Sequence, residues 1–123
     1  MKIAIPATEK DLKSKPSPVF GRCPYFAIVD TEDGNKFVNN GAENQRGGAG
    51  IAAAESVGDE GVQAVIADRV GPNAFRVLDR LEIEVYEADL KKTIEENIQS
   101  LRQGKLNKIE GATGGPGMGR RGR

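Results

Sequence analysis

Short apolar segments separated by polar turns recur along the first part of the chain. Residues 2–5 predict a first strand, which we expect Pro6 to end. Residues 25–30, Tyr-Phe-Ala-Ile-Val-Asp, are rich in residues that favour strands. The Asp33-Gly34 pair that follows is a strong hairpin signal, so residues 36–39 should return as an antiparallel third strand.

Helical and extended patterns alternate after this hairpin. The glycine-rich segment 41–50 should lead into a helix from about residue 51 to residue 57. The apolar run at 62–67 is typical of a strand that is buried on both faces. Pro72 then predicts the start of a second helix, because the missing N–H of proline has no partner in a first turn.

The last two predicted elements complete an α/β pattern. Residues 81–85 alternate between apolar and acidic, which predicts a strand with one polar face. Thr93 and Glu96 form a capping-box pattern, and the helix that it begins should end near Gly104. The order β-β-β-α-β-α-β-α predicts a three-layer α/β fold, with a mixed five-stranded sheet, helices on both faces and a ribonuclease-H-like arrangement.

The end of the chain differs from the rest in composition and charge. Residues 111–123 are rich in glycine and arginine and have no apolar stripe, so they cannot offset the entropy lost on ordering. We therefore expect a domain over residues 1–109 and a disordered tail over 110–123. Residues 102–123 carry a net charge of +5, which leaves −5 on the remainder of this neutral chain.

The absence of histidine excludes several kinds of chemistry. A chain with no histidine and one cysteine cannot form Ser-His-Asp or Cys-His catalytic groups, histidine metal sites, a Cys₄ zinc site or an internal disulfide. We therefore predict that the protein is not an enzyme. No apolar run has the length of a membrane span, and the first residues lack a signal-peptide pattern, so we expect a cytoplasmic protein.

Four segments together resemble a known family. They are MKIAIP at the start, FGRCPYFAIVD at 20–30, GGAGIAAAE at 47–55 and GPNAFRVL at 71–78. In this order and spacing they resemble the dinitrogenase iron–molybdenum cofactor biosynthesis proteins, especially short archaeal members with a glycine–arginine tail. The resemblance covers about residues 1–109 and implies a ribonuclease-H-like fold. It also implies binding of an iron–sulfur or iron–molybdenum cluster.

The family pattern and this chain differ in their candidate metal ligands. Many members have a histidine near the FGR motif, or a tail rich in histidine or cysteine, whereas this chain has Ser17-Pro18-Val19 before the motif and arginine in the tail. The family usually has a small residue at position 23. The resemblance therefore does not assign a ligand role to Cys23. Cys23 is nevertheless the only candidate soft ligand in this chain.

The segment 20–24 contains the first candidate site residues. Arg22 could face an anion and Cys23 could supply one thiolate to a cluster, although one thiolate cannot complete a coordination sphere. The alternative is a tight turn before a strand, in which Cys23 is a small buried apolar residue.

Glycines before the two predicted helices form the other candidates. Gly47, Gly48 and Gly50 precede the first helix, and Gly71 and Asn73 flank the start of the second. Helix N-termini favour anions, although the spacing matches neither a Walker loop nor a dinucleotide-binding motif. The alternatives are a flexible connection and simple helix initiation. If the first, third and fourth strands run parallel, both loops lie at one end of the sheet, beside segment 20–24.

These observations predict a non-catalytic carrier protein. Its ligand would be a metallocofactor, a metal–sulfur cluster or a small oxyanion, which a carrier would pass to a client protein. The alternative is a small adaptor that binds nucleic acid or a protein partner through its basic tail.

Overall fold

A six-stranded mixed sheet forms the centre of the fold. The structure is a computed structural model, and it describes residues 1–30, 32, 34–42 and 48–111. The strands are β1 (Lys2–Ala7), β2 (Tyr25–Asp30), β3 (Gly34–Asn39), β4 (Ala64–Ala67), β5 (Glu84–Glu87) and β6 (Lys108–Ile109). The helices are α1 (Ala49–Asp59), α2 (Pro72–Arg80) and α3 (Ile94–Arg102).

The strands are arranged in the order β3-β2-β1-β4-β5-β6. β1 is antiparallel to β2 and parallel to β4, and β2 is antiparallel to β3. β4 is parallel to β5, and β5 is antiparallel to β6. The strands β1, β3 and β4 therefore run in one direction, which confirms the predicted strand directions.

Alternation along the strands divides the core between the two faces of the sheet. Ala4, Phe26 and Val65 pack on one side with residues of α1 and α2, including Val57 and Leu78. The other face packs against α3, whose Ile94 and Ile98 cover Ile3, Ile5, Val29 and Ile66. Complete burial of one such aliphatic side chain contributes about 1.5–3 kcal/mol. The prediction of helices on both faces is confirmed.

The prediction of five strands is wrong, because β6 adds a sixth. β6 consists of two residues, Lys108 and Ile109, which pair with Tyr86 and Val85 of β5. A two-residue strand has no period that sequence could reveal, and its hydrogen bonds depend on the neighbouring strand. The ribonuclease-H-like arrangement stays a prediction.

Two strand boundaries also differ from the sequence-based expectation. β5 begins at Glu84, because Leu81 is the C-cap of α2 and Glu82 has a left-handed φ of 62°. β1 continues through Pro6 to Ala7. The carbonyl oxygen of Pro6 accepts a hydrogen bond from the Ser17 N–H at 2.9 Å. Pro6 therefore forms a backbone hydrogen bond in β1 although it has no N–H to donate.

Part of the predicted organisation lies outside the described residues. This applies to positions 112–123 of the predicted tail and to Gly47. Within the ranges that are described, no helix combines the length and apolar character that crossing a bilayer requires.

Candidate functional site

Three chain segments enclose a crevice next to the carboxyl end of β4. Its volume is about 300 Å³. One wall is the segment before β2, another is the start of α1, and the third is the turn from β4 into α2. The lining residues are Val19, Phe20, Gly21, Arg22, Gly48, Ala49, Gly50, Ile51, Arg69, Gly71, Pro72, Asn73 and Ala74.

The crevice brings together most of the residues singled out in the sequence. Arg22, Gly48, Gly50, Gly71 and Asn73 all line it. The predicted meeting of the two glycine-containing loops with segment 20–24 is therefore confirmed for residues 48–50 and 69–73, while residues 43–47 of the first loop lie outside the described ranges. Ligand binding by these residues stays a prediction.

The first turn of α1 presents its backbone N–H groups without a side-chain cap. Gly48 is the N-cap, in a left-handed conformation with φ 75°, and no side chain caps the helix. The Ala52 N–H donates to the Gly48 carbonyl at 2.9 Å, so the N–H groups of residues 49–51 precede the helical hydrogen-bond pattern. No acidic side chain occupies this first turn. These groups are therefore suited to an anionic acceptor.

The first turn of α2 has the same character. Its N-cap is Gly71, again without a side-chain cap or an acidic residue in the first turn. The Phe75 N–H donates to the Gly71 carbonyl at 2.9 Å, which leaves the N–H groups of Asn73 and Ala74 ahead of the helical pattern. The Asn73 Oδ1 accepts a hydrogen bond from Arg76 Nη1 at 3.3 Å.

Small residues allow the three walls to approach one another. A Cβ added to Gly50 would lie 3.0 Å from the Cβ of Ala74, closer than normal contact distance. Gly21 has φ 89°, and a Cβ there would lie 3.0 Å from the Cα of Gly50. The left-handed φ favours glycine at position 21, and at position 50 any Cβ would push Ala74 away. The two helix N-termini therefore lie side by side with the 20–24 segment against them.

The charges that line the crevice are positive. Arg22 and Arg69 are both exposed lining residues, and none of the described lining residues is acidic. Backbone contacts join the segments from which they project: the Phe20 N–H donates to the Arg69 carbonyl at 3.0 Å, and Val19 forms a parallel bridge with Arg69. Two guanidinium groups therefore belong to the lining beside two helix N-termini.

Cys23 lies in the core and not in the crevice lining. It is fully buried, with Phe20 and Phe26 in the same apolar cluster. Its Sγ lies 3.9 Å from Asn40 Nδ2. This placement matches the alternative described for the sequence, a small buried apolar residue.

Asn40 is a residue of this region that the sequence did not single out. Its side chain is buried and bonds to the backbone of segment 20–24. The only signal in the sequence is a polar residue directly after a strand, which is also typical of an ordinary turn.

The donor set of the crevice fits an anion and does not fit a bare metal cation. Zinc, iron and other transition-metal cations are typically held by thiolate, imidazole or carboxylate ligands, and the described lining has none of them. In the ranges that the structure describes, no group of three such side chains could hold a metal ion. Backbone N–H and guanidinium donors can hold an oxyanion, or a cluster that carries its own sulfur ligands.

The resolved pKa shifts lie outside the crevice, on β5. The pKa of Glu84 is lowered from its usual value, chiefly by a hydrogen bond from the Tyr86 hydroxyl at 2.8 Å and also by Lys108. The same hydrogen bond raises the pKa of Tyr86. These groups belong to the β5–β6 edge of the sheet.

Comparison with known proteins gives one family and several similar structures. The family model described as dinitrogenase iron–molybdenum cofactor matches residues 1–104. An uncharacterized protein of Methanocaldococcus jannaschii is 39% identical over 114 residues, which cover 89% of this chain and 92% of that protein.

Two solved structures share the fold at substantial sequence identity. The apo form of the orange protein from Desulfovibrio gigas has a TM-score of 0.86 and 31% identity, over 91% of this chain and 95% of that one. A putative NifB protein from Thermotoga has a TM-score of 0.79 and 34% identity, over 91% of this chain and 96% of that one.

Proposed function

Because the chain belongs to the dinitrogenase iron–molybdenum cofactor family, we propose that it is a carrier that binds an anionic metal–sulfur cluster or a small oxyanion in the crevice. Membership of this family relates the protein to metal cofactors. The N–H and guanidinium groups of the crevice are the donors in the proposed binding. The ligand is cargo for a client protein, and its chemistry is not changed by the carrier.

The observation that carries the proposal is the pair of uncapped helix N-termini in one crevice. The glycine N-caps of α1 and α2 leave several N–H donors directed away from the helices, with Gly50 and Ala74 at the point of contact. An anion at a helix N-terminus gains about 0.3–1 kcal/mol from the helix dipole, and the two contributions act on the same ligand. Arg22 and Arg69 add charge of the matching sign.

The proposal includes binding without a bond from the protein to a metal. Cys23, the one thiol of the chain, is fully buried outside the lining, and the described lining offers only amide, guanidinium and backbone groups as polar donors. A cluster would therefore enter with its sulfur or oxygen ligands already in place. The solved structure of the Desulfovibrio gigas neighbour is an apo form, so this fold can be adopted without a bound group.

The same lining supports a role without catalysis. Acid–base or nucleophilic catalysis requires a pair of groups that exchange a proton at the reacting centre. The described lining contains arginine and asparagine side chains but no carboxylate, thiol, hydroxyl or imidazole. We therefore infer that the crevice binds and orients its ligand.

Titration with molybdate, followed by amide chemical shifts, tests the proposal. We expect the largest shifts at Gly48, Gly50 and Asn73. Anaerobic reconstitution with iron, sulfide and molybdate should produce visible absorption that remains with the protein on gel filtration. Shifts restricted to the opposite end of the sheet, together with a colourless protein after reconstitution, would refute the proposal.

A matched pair of arginine variants separates the crevice from general charge. Arg69→Gln removes one positive charge from the lining, and Arg102→Gln removes one from the last turn of α3, on the other face of the sheet. We expect Arg69→Gln to weaken molybdate binding several-fold more than Arg102→Gln, because screening makes distant exposed charges ineffective. Equal effects would indicate non-specific attraction.

The basic end of the chain supports a second candidate function. Residues 102–123 carry a net charge of +5, including Arg120, Arg121 and Arg123. We propose as the alternative an adaptor that binds RNA phosphates or an acidic partner through this segment. RNA affinity should fall steeply with salt and disappear on deletion of residues 112–123. Tight RNA binding by the truncated protein would exclude it.

A further inference from the structure

A buried asparagine connects the strand β3 to the wall of the crevice. Asn40 follows β3 directly, and 5% of its surface is exposed. Its Nδ2 donates to the carbonyl oxygen of Gly21 at 3.0 Å and to that of Cys23 at 2.8 Å. Its own N–H donates to the carbonyl of Pro24 at 2.9 Å. One residue thus bonds to the segment 20–24 at three points.

The remaining polar atom of this side chain bonds to the backbone directly after β3. The Oδ1 of Asn40 accepts a hydrogen bond from the Ala42 N–H at 3.1 Å. Both polar ends of the amide therefore form hydrogen bonds: its NH₂ group donates to the segment 20–24, and its oxygen accepts from Ala42. Only an amide of this length offers two donors and one acceptor in this arrangement.

The contact continues from the asparagine to the helix N-termini. Gly21, whose carbonyl Asn40 holds, packs against Gly50 so closely that an added Cβ would reach 3.0 Å from its Cα. Gly50 in turn meets Ala74 at the start of α2. A shift of Gly21 would therefore change the separation of the two groups of N–H donors.

We propose that Asn40 is a positioning residue that sets the geometry of the anion-binding crevice. The inference rests on the proposed function, and it adds a residue that does not itself line the crevice. Asn40 acts through the backbone of Gly21 and Cys23. Its loss changes ligand affinity to a greater extent than a loss of stability alone would.

Asn97 provides a matched control on the other face of the sheet. It is also a fully buried asparagine that bonds to the backbone of a loop: its Nδ2 donates to the carbonyls of Asp89 at 3.0 Å and Thr93 at 2.9 Å, and its Oδ1 accepts from the Asp89 N–H at 2.8 Å. Asn97 is a residue of α3 and lies outside the crevice lining.

The test compares Asn40→Asp with Asn97→Asp. Both substitutions keep the shape of the side chain and replace its NH₂ donors by an oxygen that repels the neighbouring carbonyls, so both should lower the melting temperature. We expect only Asn40→Asp to weaken molybdate binding, by about tenfold, the scale seen when an outer positioning partner is lost. Asn97→Asp should bind molybdate within about twofold of the unaltered protein.

Amide chemical shifts of the unliganded protein test the positioning role independently of the proposed function. In the unliganded protein, Asn40→Asp should move the amide resonances of Gly48, Gly50 and Asn73, which are not among the hydrogen-bond partners of residue 40, while Asn97→Asp leaves them in place. If the unaltered protein binds no molybdate, the proposed function fails and these resonances decide the inference. Unmoved resonances in Asn40→Asp, or equal losses of affinity in the two variants, would overturn it. Asn40→Ala and Asn97→Ala remove the same hydrogen bonds without adding a negative charge that would itself repel an anion, so the same difference must appear in this neutral pair, which also decides if Asn40→Asp does not fold.

Discussion

Two glycine-to-alanine substitutions in the same helix should have opposite effects on stability. Gly50 and Gly58 both lie in α1, so the general preference of a helix for alanine applies to both. Gly50 is at the crevice and faces Ala74 of α2, whereas Gly58 is in the last turn and faces Leu81. The comparison isolates the close contact of the helix N-termini from helix propensity.

The distances indicate the size of each effect. At position 58 the added Cβ would lie 2.8 Å from the end of the Leu81 side chain, which is 47% exposed and can rotate into solvent. Gly58→Ala should therefore retain much of the gain of about 1 kcal/mol that alanine has over glycine in a helix. At position 50 the Cβ would lie 3.0 Å from the Cβ of Ala74, and only movement of the helices can relieve this contact. Overpacking of this kind costs about 1–3 kcal/mol.

Thermal and denaturant unfolding of the two variants would measure this difference. We expect Gly58→Ala to be more stable than Gly50→Ala by about 1–3 kcal/mol, where 1 kcal/mol corresponds to about 4–8 °C in the melting temperature of a domain of this size. Gly50→Ala should also bind molybdate more weakly, because its helix N-termini are forced apart. The reasoning would be refuted if Gly50→Ala were at least as stable as Gly58→Ala.

Three further predictions concern parts of the fold outside the crevice. Thr93→Ala removes the acceptor of the capping box of α3 and should cost about 0.5–2 kcal/mol in urea unfolding, with molybdate affinity unchanged. The lowered pKa of Glu84 means that its stabilisation is present above the unfolded-state pKa and is lost as pH falls through the folded-state pKa; carboxyl NMR titration should show that Tyr86→Phe returns this pKa towards its usual value. Deletion of residues 112–123 should leave the melting temperature unchanged, since the described strands and helices end by Ile109; a clear decrease would contradict this.

Local signals in the sequence predicted those elements whose boundaries depend on local chemistry. β2 begins and ends where its run of strand-favouring residues does, at Tyr25 and Asp30. α2 starts at Pro72, and Thr93 caps α3 through the predicted box. In each case the stabilising group lies within a few residues of the boundary, so the sequence alone contains the necessary information.

Features that depend on distant residues were predicted poorly. The alternation at 81–85 predicted a strand over all five residues. In the structure, however, Leu81 ends α2 as its C-cap, and the left-handed Glu82 lies in the turn that precedes β5. β6 is defined by its pairing with β5, which no local pattern encodes. The contact of Gly21 with Gly50 joins positions that are far apart in sequence.

The crevice itself could be placed in advance because topology determines it. Once β1, β3 and β4 run parallel, the turns that follow them must meet at one end of the sheet. What topology could not supply was the identity of the residues that hold the walls in place. Asn40 carries no local signature, and only its burial and hydrogen bonds distinguish it from any polar residue after a strand.

The three described helices differ in how their first turns are satisfied. In α3, the Thr93 and Glu96 side chains accept hydrogen bonds from backbone N–H groups at the start of the helix, and the acidic residues of the first turn interact favourably with the helix dipole. α1 and α2 begin with glycine, without acidic residues in the first turn and without a side-chain cap. The extended backbone of Gly71 is compatible with a capping threonine or aspartate, whereas the left-handed φ of 75° favours glycine at Gly48. Under the proposed function, an anionic acceptor from outside would provide the stabilisation that a side-chain cap provides in α3. Since a ligand that binds only the folded state adds about 2.7 kcal/mol at a hundred times its Kd, an anion in this crevice can more than replace the missing caps.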